Sequence, residues 1–233
     1  MHELVRAARS GLAAVADPDA AEPMRAYMKS EMPFRGVAKP AREKLLRALI
    51  VEHPLADATE LRAVADELWT GAEYREERYL ALGLLGHRRY AGWAAPDWVG
   101  SLHRRWIVTG AWWDFTDELA SRHVGPLLRA HRPALTPLIR SWITEDDRWL
   151  RRTSVICQLG SGPDTDLDLL REAIEGNLDD RDFFLRKAIG WALRQYARTD
   201  PEWVHAFVAE HPTLSPLSRK EALKHIGNDR RAR

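Results

Sequence analysis

The sequence predicts an all-α protein built from many short amphipathic helices. Apolar residues recur at helical spacing along the chain, helix start signals precede several of these segments, and the breaks between them fall at Gly and Pro. No segment shows a convincing strand pattern. Short helices joined by short turns form either a globular bundle or a stack of helical pairs.

The start signals are an Asp-Pro pair and two capping patterns with Glu three residues after the cap. They are Asp17-Pro18, Asp57 with Glu60, and Ser218 with Glu221. The predicted helices lie near residues 2–15, 17–31, 40–53, 57–70, 73–86, 97–109, 111–124, 133–144, 146–160, 165–176, 180–198, 201–211 and 215–226. The predicted breaks are Met32 to Gly36, Gly125-Pro126 and Gly160 to Pro163.

Length and composition predict a single domain spanning residues 1–233, since no interdomain linker is evident. The net charge of +1 does not by itself indicate a nucleic-acid-binding protein. Binding to DNA would require the basic residues to be concentrated on one surface. One cysteine, Cys157, excludes an internal disulfide and is interpreted as a buried small hydrophobe. With neither a signal-peptide pattern nor an apolar run of membrane-spanning length, we expect a cytoplasmic monomer.

Three unusual residues favour the stack of helical pairs. Trp113, Arg152 and Trp191 lie in successive predicted helices and are separated by 39 residues each. This interval is close to the repeat of about 40 residues in HEAT-type helical pairs. If the period is structural, these residues line one concave surface of a curved α-α superhelix. Chance spacing among ten tryptophans is the alternative.

Chemistry is concentrated in these same helices. Trp113 and Asp117 are four residues apart, which places an indole and a carboxylate on one helix face. Trp112 is expected to face packing, and Asp114 suits the N-terminal turn of its helix. Arg152 and, on the helix of Trp191, Arg194 add guanidinium groups, and we expect the guanidinium of Arg152 to face phosphate. Together these side chains would form a cleft suited to a cationic, aromatic or phosphate-bearing ligand. In the alternative interpretation, the tryptophans fill a core and the arginines lie on a solvated surface.

Five segments resemble one known family. They are 26–29 with 32–37, 112–117, 149–152, 183–196 and 217–222, and they follow the family order across nearly the whole chain. The family is the AlkD-type DNA alkylation repair family of HEAT-like alkylpurine DNA glycosylases. The resemblance implies a catalytic carboxylate at Asp117, flanked by Trp113 and Trp191, with Arg152 beside them and Tyr27 nearby.

The resemblance further implies hydrolysis of the N-glycosidic bond of cationic N3- or N7-alkylated purines, such as 3-methyladenine and 7-methylguanine, in duplex DNA. Family members are described as leaving the damaged nucleotide in the base stack, without flipping it into a pocket. We expect water as the nucleophile, because no lysine falls in the implied cluster. No cofactor and no metal are expected, since the histidines have no metal-ligand spacing.

Basic residues on a concave side would contact phosphate. The candidates, with Tyr27, are Lys29, Arg35, Lys39, Arg151, Arg186, Lys187, Arg194 and Lys224. Arg35 is the main departure from the family pattern, which has an apolar residue there. The basic tail Arg230 to Arg233 is interpreted as frayed. Two rival functions stay open: a non-catalytic relative that binds distorted or branched DNA, and a protein-binding helical scaffold.

Overall fold

The computed structural model describes residues 1–224 and 226, and no strand occurs among them. The all-α prediction is confirmed. The basic tail Arg230 to Arg233 lies outside the described residues. The helices are α1 Glu3–Ala14, α2 Pro18–Met28, α3 Lys39–Glu52, α4 Ala58–Thr70, α5 Arg75–Leu85, α6 Arg104–Gly110, α7 Trp113–Glu118, α8 Gly125–Ala130, α9 Arg132–Trp142, α10 Arg148–Ile156, α11 Leu167–Glu175, α12 Phe183–Tyr196, α13 Pro201–Glu210 and α14 Pro216–Ala222.

Two compact units divide the chain, the first being Met1–Ala94 and the second beginning at Ala95. The first unit contains α1 to α5. The Asp17 carboxylate caps α2 by accepting from the backbone N–H groups of Asp19 and Ala20, as the sequence predicts. Gly36 has φ +77°, and a Cβ there would lie 2.0 Å from the Asp17 carbonyl oxygen. Only glycine permits this close return of the chain onto the start of α2.

A buried carboxylate fixes the loop between α2 and α3. Glu76, at the start of α5, accepts hydrogen bonds from the backbone N–H groups of Arg35 and Val37 at 3.0 and 3.1 Å. The Arg75 backbone N–H donates to the Pro33 carbonyl at 2.9 Å. These bonds satisfy loop backbone groups that would otherwise be buried without partners, so they hold the segment that carries Arg35.

The second unit contains α6 to α14. Helices α7, α10, α12 and α14 form what we call the site row, in which each helix contacts the next. Helix α9 contacts α10 and α11, α11 contacts α10, and α13 contacts α12 and α14. This alternation is the arrangement of stacked helical pairs within the unit. Apolar side chains of both sets share one core, which includes Ile156, Ile174, Ile189 and Phe207.

The helical backbone that begins with α7 does not break at Gly125-Pro126, where the sequence predicts a break. The helical backbone continues through a π-helical segment, Leu119–Val124, directly into α8. Pro126 stands in the first turn after that segment, where proline's missing N–H is tolerated. A Cβ on Gly125 would lie 2.3 Å from the Cys157 carbonyl oxygen, so glycine allows α8 to approach α10. A second π-helical segment, Val99–His103, precedes α6.

The capping box predicted at Ser218 and Glu221 is wrong. Helix α14 begins earlier, and its N-cap is Ser215, whose hydroxyl accepts from the Ser218 backbone N–H at 3.0 Å. Pro216 occupies the first turn, for which its fixed φ is suited. Glu221 therefore has no capping role in this helix. The Asp57 cap with Glu60 is confirmed, because Asp57 accepts from the Glu60 backbone N–H at 2.9 Å.

Two expectations about the whole chain concern membranes and the cysteine. None of the helices in the described part of the chain is both long and apolar enough to cross a membrane. Cys157 is fully buried, and its burial raises the pKa of the thiol to about 12. The thiol is therefore protonated at neutral pH, which confirms its interpretation as a small hydrophobe.

Candidate active site

Helix α7 presents the carboxylate that the sequence singles out. It begins at Trp113, so Trp113 and Asp117 stand at positions i and i+4 on one helix face. Asp114 lies in the first turn, where its charge complements the helix dipole, as expected. The Ser121 hydroxyl donates to the Asp117 carbonyl at 2.6 Å at the entry to the π-helical segment.

Asp117 and Arg152 form a bidentate ion pair between α7 and α10. Arg152 Nε donates to Asp117 Oδ1 at 2.7 Å, and Nη2 donates to Oδ2 at 2.9 Å. The Arg152 side chain is only 4% exposed and that of Asp117 18% exposed. A fork-to-fork pair of this kind fixes the plane of the carboxylate as well as its position.

The third donor of Arg152 reaches the next helix of the site row. Nη1 donates to the backbone carbonyl of Phe184 in the first turn of α12. One guanidinium thereby ties α10 to both α7 and α12. The sequence predicts that this guanidinium faces phosphate, whereas the structure buries it and directs its donors to Asp117 and Phe184. Arg152 therefore positions the Asp117 carboxylate.

Two opposing influences act on the pKa of Asp117. Burial raises it, because the low-dielectric surroundings penalise the charged form. The hydrogen bonds and positive charge of Arg152 oppose this rise, and Asp114 adds to it. The net pKa lies above the ordinary aspartate value. A carboxylate that is costly to ionise, yet held by a guanidinium, is stabilised when a positive charge develops beside it.

Aromatic side chains at the starts of α7, α10 and α12 form a cluster. Trp112, Trp149 and Phe184 pack against one another with ring centroids 5.0 to 6.0 Å apart. They come from the ends of α7, α10 and α12, so the cluster fixes these three helices at the level of the Phe184 carbonyl. The expectation that Trp112 faces packing is confirmed.

Trp191 lies two turns along α12 from Phe184. The separation of seven residues places both on one face of the helix. Trp191 is partly buried and packs against the core of the second unit. The three residues spaced at 39 therefore lie on α7, α10 and α12, in the order in which the site row is stacked. Arg152, the middle residue of the three, is bound by Asp117, which shares its helix with Trp113.

Most candidate phosphate-binding residues of the second unit already have acidic or carbonyl partners. Arg151 pairs with Asp180 at 3.0 Å, and Arg186 Nε donates to the Asp180 carbonyl at 2.9 Å. Lys187 pairs with Glu221 at 2.9 Å, and Arg194 contacts the same carboxylate. Lys224 is exposed.

The first unit carries the remaining candidates. Tyr27 is highly exposed near the end of α2, and Lys29 follows in the left-handed region with φ 48°. The Arg35 guanidinium stacks 3.8 Å from the centre of the Tyr74 ring. Lys39 is exposed at the start of α3, 3.8 Å from Glu43. The contribution of these residues to binding stays a prediction.

Three features of the site escape sequence analysis. The Phe184 carbonyl is a backbone group without a side-chain signature. Asp182 caps α12 and also pairs with Arg148 at 3.0 Å, and an Asp directly before an apolar segment could have signalled that cap. Glu221 has the spacing of a cap, which hides its contacts with α12. Within the described residues, no three His, Cys, Asp or Glu side chains are grouped to hold a metal ion.

Comparison with known proteins gives the family. A family model described as DNA alkylation repair enzyme matches residues 8–226. The chain belongs to this family. A solved structure of a protein from Enterococcus faecalis, described as a predicted DNA alkylation repair enzyme, is 30% identical, with a TM-score of 0.80. That similarity covers 91% of this chain and 97% of the other. No curated protein matches the chain.

Membership in this family assigns the chain a role in the repair of alkylated DNA, with DNA as its partner. It also agrees with the all-helical architecture, which the Enterococcus faecalis structure shares over nearly its whole length. The resemblance noted from five sequence segments is confirmed at the level of the family.

Proposed function

We propose that this protein is an AlkD-type monofunctional glycosylase. It hydrolyses the N-glycosidic bond of cationic N3- and N7-alkylated purines in duplex DNA, as the first step of base excision repair. The damaged base leaves without being flipped into a pocket. Asp117 is the catalytic carboxylate, Trp113 and Trp191 flank the sugar, and Arg152 positions Asp117.

The buried Asp117–Arg152 pair is the observation that carries this proposal. The bidentate contact holds the carboxylate in one orientation, so it needs no reorganisation when charge develops nearby. Arg152 is itself held by the Phe184 carbonyl, which prevents the guanidinium from following a ligand. A fixed, partly desolvated carboxylate is what stabilisation of a transient cation requires.

The chemistry of the lesion explains why one carboxylate suffices. Alkylation at N3 or N7 gives the purine a positive charge and makes it a good leaving group. As the C1′–N bond breaks, the sugar gains oxocarbenium character, and the Asp117 carboxylate stabilises that charge and orients water toward C1′. The indole faces of Trp113 and Trp191 add cation–π attraction to the same cation.

Release of free base tests the proposal. Purified protein is incubated with methylated duplex DNA, and 3-methyladenine and 7-methylguanine are measured by chromatography and mass spectrometry. We expect release of both bases, and no release of the neutral bases uracil or hypoxanthine from matched duplexes. Asp117→Asn is the inactive control. Tight binding to distorted or branched duplexes without release of either methylated base would instead support the non-catalytic alternative.

A further inference from the structure

Glu221 lies at the contact between the last two helices of the site row. A Cβ on Gly190 would lie 2.6 Å from Glu221 Cβ and 2.9 Å from the Ser218 carbonyl oxygen, so α14 rests directly on α12. The absence of a side chain at Gly190 therefore allows the Glu221 carboxylate to reach the face of α12. The Glu221 side chain is only 12% exposed.

The carboxylate of Glu221 binds two cations of α12. Lys187 Nζ lies 2.9 Å from Glu221 Oε1, and Arg194 Nη1 donates to Oε2. Lys187 and Arg194 stand four residues before and three residues after Trp191, so all three share one helix face. Both cations that border this tryptophan are thus held by one acidic residue of α14.

The electrostatics of this cluster favour the ionised form of Glu221. The hydrogen bond from Lys187, with the charges of Lys187, Arg194 and Lys224, lowers the pKa of the Glu221 carboxyl. A DNA phosphate that approaches Lys187 or Arg194 must compete with this carboxylate, because both anions use the same donors. It is also repelled by the carboxylate charge.

We propose that Glu221 is a specificity-determining residue, an internal counter-charge that limits how strongly Lys187 and Arg194 hold the phosphates of undamaged DNA. This inference rests on the proposed function, in which the face of Trp191 meets the duplex. Undamaged DNA outnumbers lesions by orders of magnitude, so a repair enzyme benefits from weak phosphate contacts beside its active site. Glu221 weakens the phosphate contacts of Lys187 and Arg194 while both cations stay in place.

The test measures binding to undamaged duplex over a series of salt concentrations, by fluorescence anisotropy. Glu221→Gln keeps the length of the side chain and removes its charge. We expect tighter binding, by roughly tenfold near 0.1 M salt, and a salt slope steeper by about 0.9 for each additional phosphate that the protein neutralises. Affinity and slope equal to those of the wild type, or weaker binding, would overturn the inference.

The matched control is Glu172→Gln. Glu172 lies on α11, outside the site row, and forms a bidentate pair with Arg140 at 2.6 and 3.0 Å. The substitution makes the same change in net charge and also breaks a carboxylate–guanidinium pair. We expect wild-type affinity and salt slope. An equal increase in affinity in both variants would show a general charge effect and would also overturn the inference.

A second variant decides the matter if Glu221→Gln does not fold. Because Glu221 already neutralises Lys187, Lys187→Gln in the otherwise wild-type chain should leave the salt slope nearly unchanged. A decrease of about 0.9 would show that Lys187 contacts phosphate at full strength, contrary to the inference. Thermal melting confirms that each variant is folded.

Excision separates this inference from the proposed function. Undamaged competitor DNA should inhibit release of 7-methylguanine more strongly in Glu221→Gln than in the wild type. If no protein releases base but the salt slopes change as expected, the glycosylase proposal fails and the role of Glu221 in DNA binding stands. If the wild type releases base and the slopes do not change, the role of Glu221 fails alone.

Discussion

Two carboxylate–guanidinium pairs of the second unit have similar geometry and opposite surroundings. Asp117 and Arg152 meet at 2.7 and 2.9 Å in the site row, and Glu172 and Arg140 meet at 2.6 and 3.0 Å between α11 and α9. The second pair is 43% and 46% exposed, whereas Arg152 is almost fully buried. Water screens the exposed pair, while protein surrounds the buried one.

The difference between the pairs teaches that the contact alone does not make a site. Both pairs are bidentate, and in the buried pair desolvation raises the pKa of the Asp117 carboxyl. In the exposed pair the glutamate raises the pKa of Arg140 through a hydrogen bond. A charge in low-dielectric surroundings interacts strongly with a charge that develops on a substrate. A charge that is surrounded by water is screened and interacts only weakly.

The largest expected effect is on catalysis. Asp117→Asn keeps the size of the side chain and removes its charge, so single-turnover release of 7-methylguanine should fall by on the order of 100-fold or more. Duplex binding should survive, since a negative group has been removed from a surface that meets phosphate. Glu172→Gln should leave excision unchanged. Wild-type excision by folded Asp117→Asn protein would overturn the mechanism.

The pH profile sharpens the same contrast. In the proposed mechanism Asp117 acts in its ionised form, so the rate of excision should fall about tenfold per pH unit below the folded pKa of Asp117. Because burial raises that pKa, the acid limb should lie above the ordinary value of about 3.9. Arg152→Lys, which cannot form the bidentate pair, should move the limb to higher pH. A limb that stays in place would separate Arg152 from the ionisation of Asp117.

Stability should distinguish the two arginines. Arg152→Ala leaves the Asp117 carboxylate desolvated and without its partner, which is expected to cost about 3–5 kcal/mol in the free energy of unfolding. Arg140→Ala removes an exposed partner and should have little effect. Urea unfolding of both variants beside the wild type measures the difference. Equal losses would mean that burial of the Arg152 pair contributes nothing to its energetics.

A buried histidine near the site row gives a further pH-dependent effect. His123 lies in the π-helical segment after α7, its Nε2 has no hydrogen-bond partner among the described residues, and burial lowers the pKa of the imidazole to about 4. The imidazole has a pKa of about 6.5 in the unfolded chain, so between pH 6.5 and 4 the unfolded chain binds a proton there and the folded protein does not. Stability is therefore fully present above pH 6.5 and is lost as the pH falls toward 4, by up to about 3 kcal/mol.

The variant His123→Gln isolates this contribution, because it removes the titrating group and keeps a polar side chain of similar size. Its unfolding free energy should fall less steeply than that of the wild type between pH 6.5 and 4. Parallel pH dependence in the two proteins would show that His123 does not stay neutral in the folded state.

The smallest expected effect concerns glycines inside and outside the site row. A Cβ on Gly190 meets the Ser218 carbonyl oxygen at 2.9 Å, so Gly190→Ala should cost about 1–3 kcal/mol through displacement of α14. A Cβ on Gly176, after α11, meets the Ile143 Cγ2 methyl at 2.4 Å, which can move, and backbone only at 3.3 Å. Gly176→Ala should therefore cost less. Thermal melting of both variants checks the order.

Sequence spacing predicts the elements of the site but not their connections. The positions of Trp113 and Asp117 follow from helix periodicity, which is a local property. The pairing of Asp117 with Arg152 depends on how α7 and α10 pack, and a spacing of 35 residues carries no such information. The prediction that Arg152 faces phosphate is wrong for this reason, since its acidic partner is distant in sequence.

Local signals also mislead where two are in competition. Ser218 with Glu221 fits a capping box, yet Ser215 followed by Pro216 is the stronger start signal because proline's fixed φ suits the first turn. The weaker signal assigns Glu221 to a cap, so Lys187 and Arg194 are predicted to contact phosphate although both pair with Glu221. The π-helical segments have no sequence signal at all, so the sequence predicts a break where the helix runs through Gly125.

The π-helical segment between α7 and α8 allows the helical backbone to hold one extra residue without loss of register. A turn of this kind closes on the fifth residue rather than the fourth, and each added residue rotates the following helix by about 100°. Asp117 before the segment faces Arg152, and Gly125 after it faces the backbone of Cys157. Asp117 and Gly125 are eight residues apart, a spacing that a regular α-helix turns about 80° out of register, and the wider π-helical turn takes up this difference so that both faces are directed at α10. Deletion of one residue within 119–124 would leave a spacing of seven, which a regular α-helix already places on one face. The π-helical segment therefore accommodates the extra residue, and the alignment of Asp117 with Gly125 does not require it.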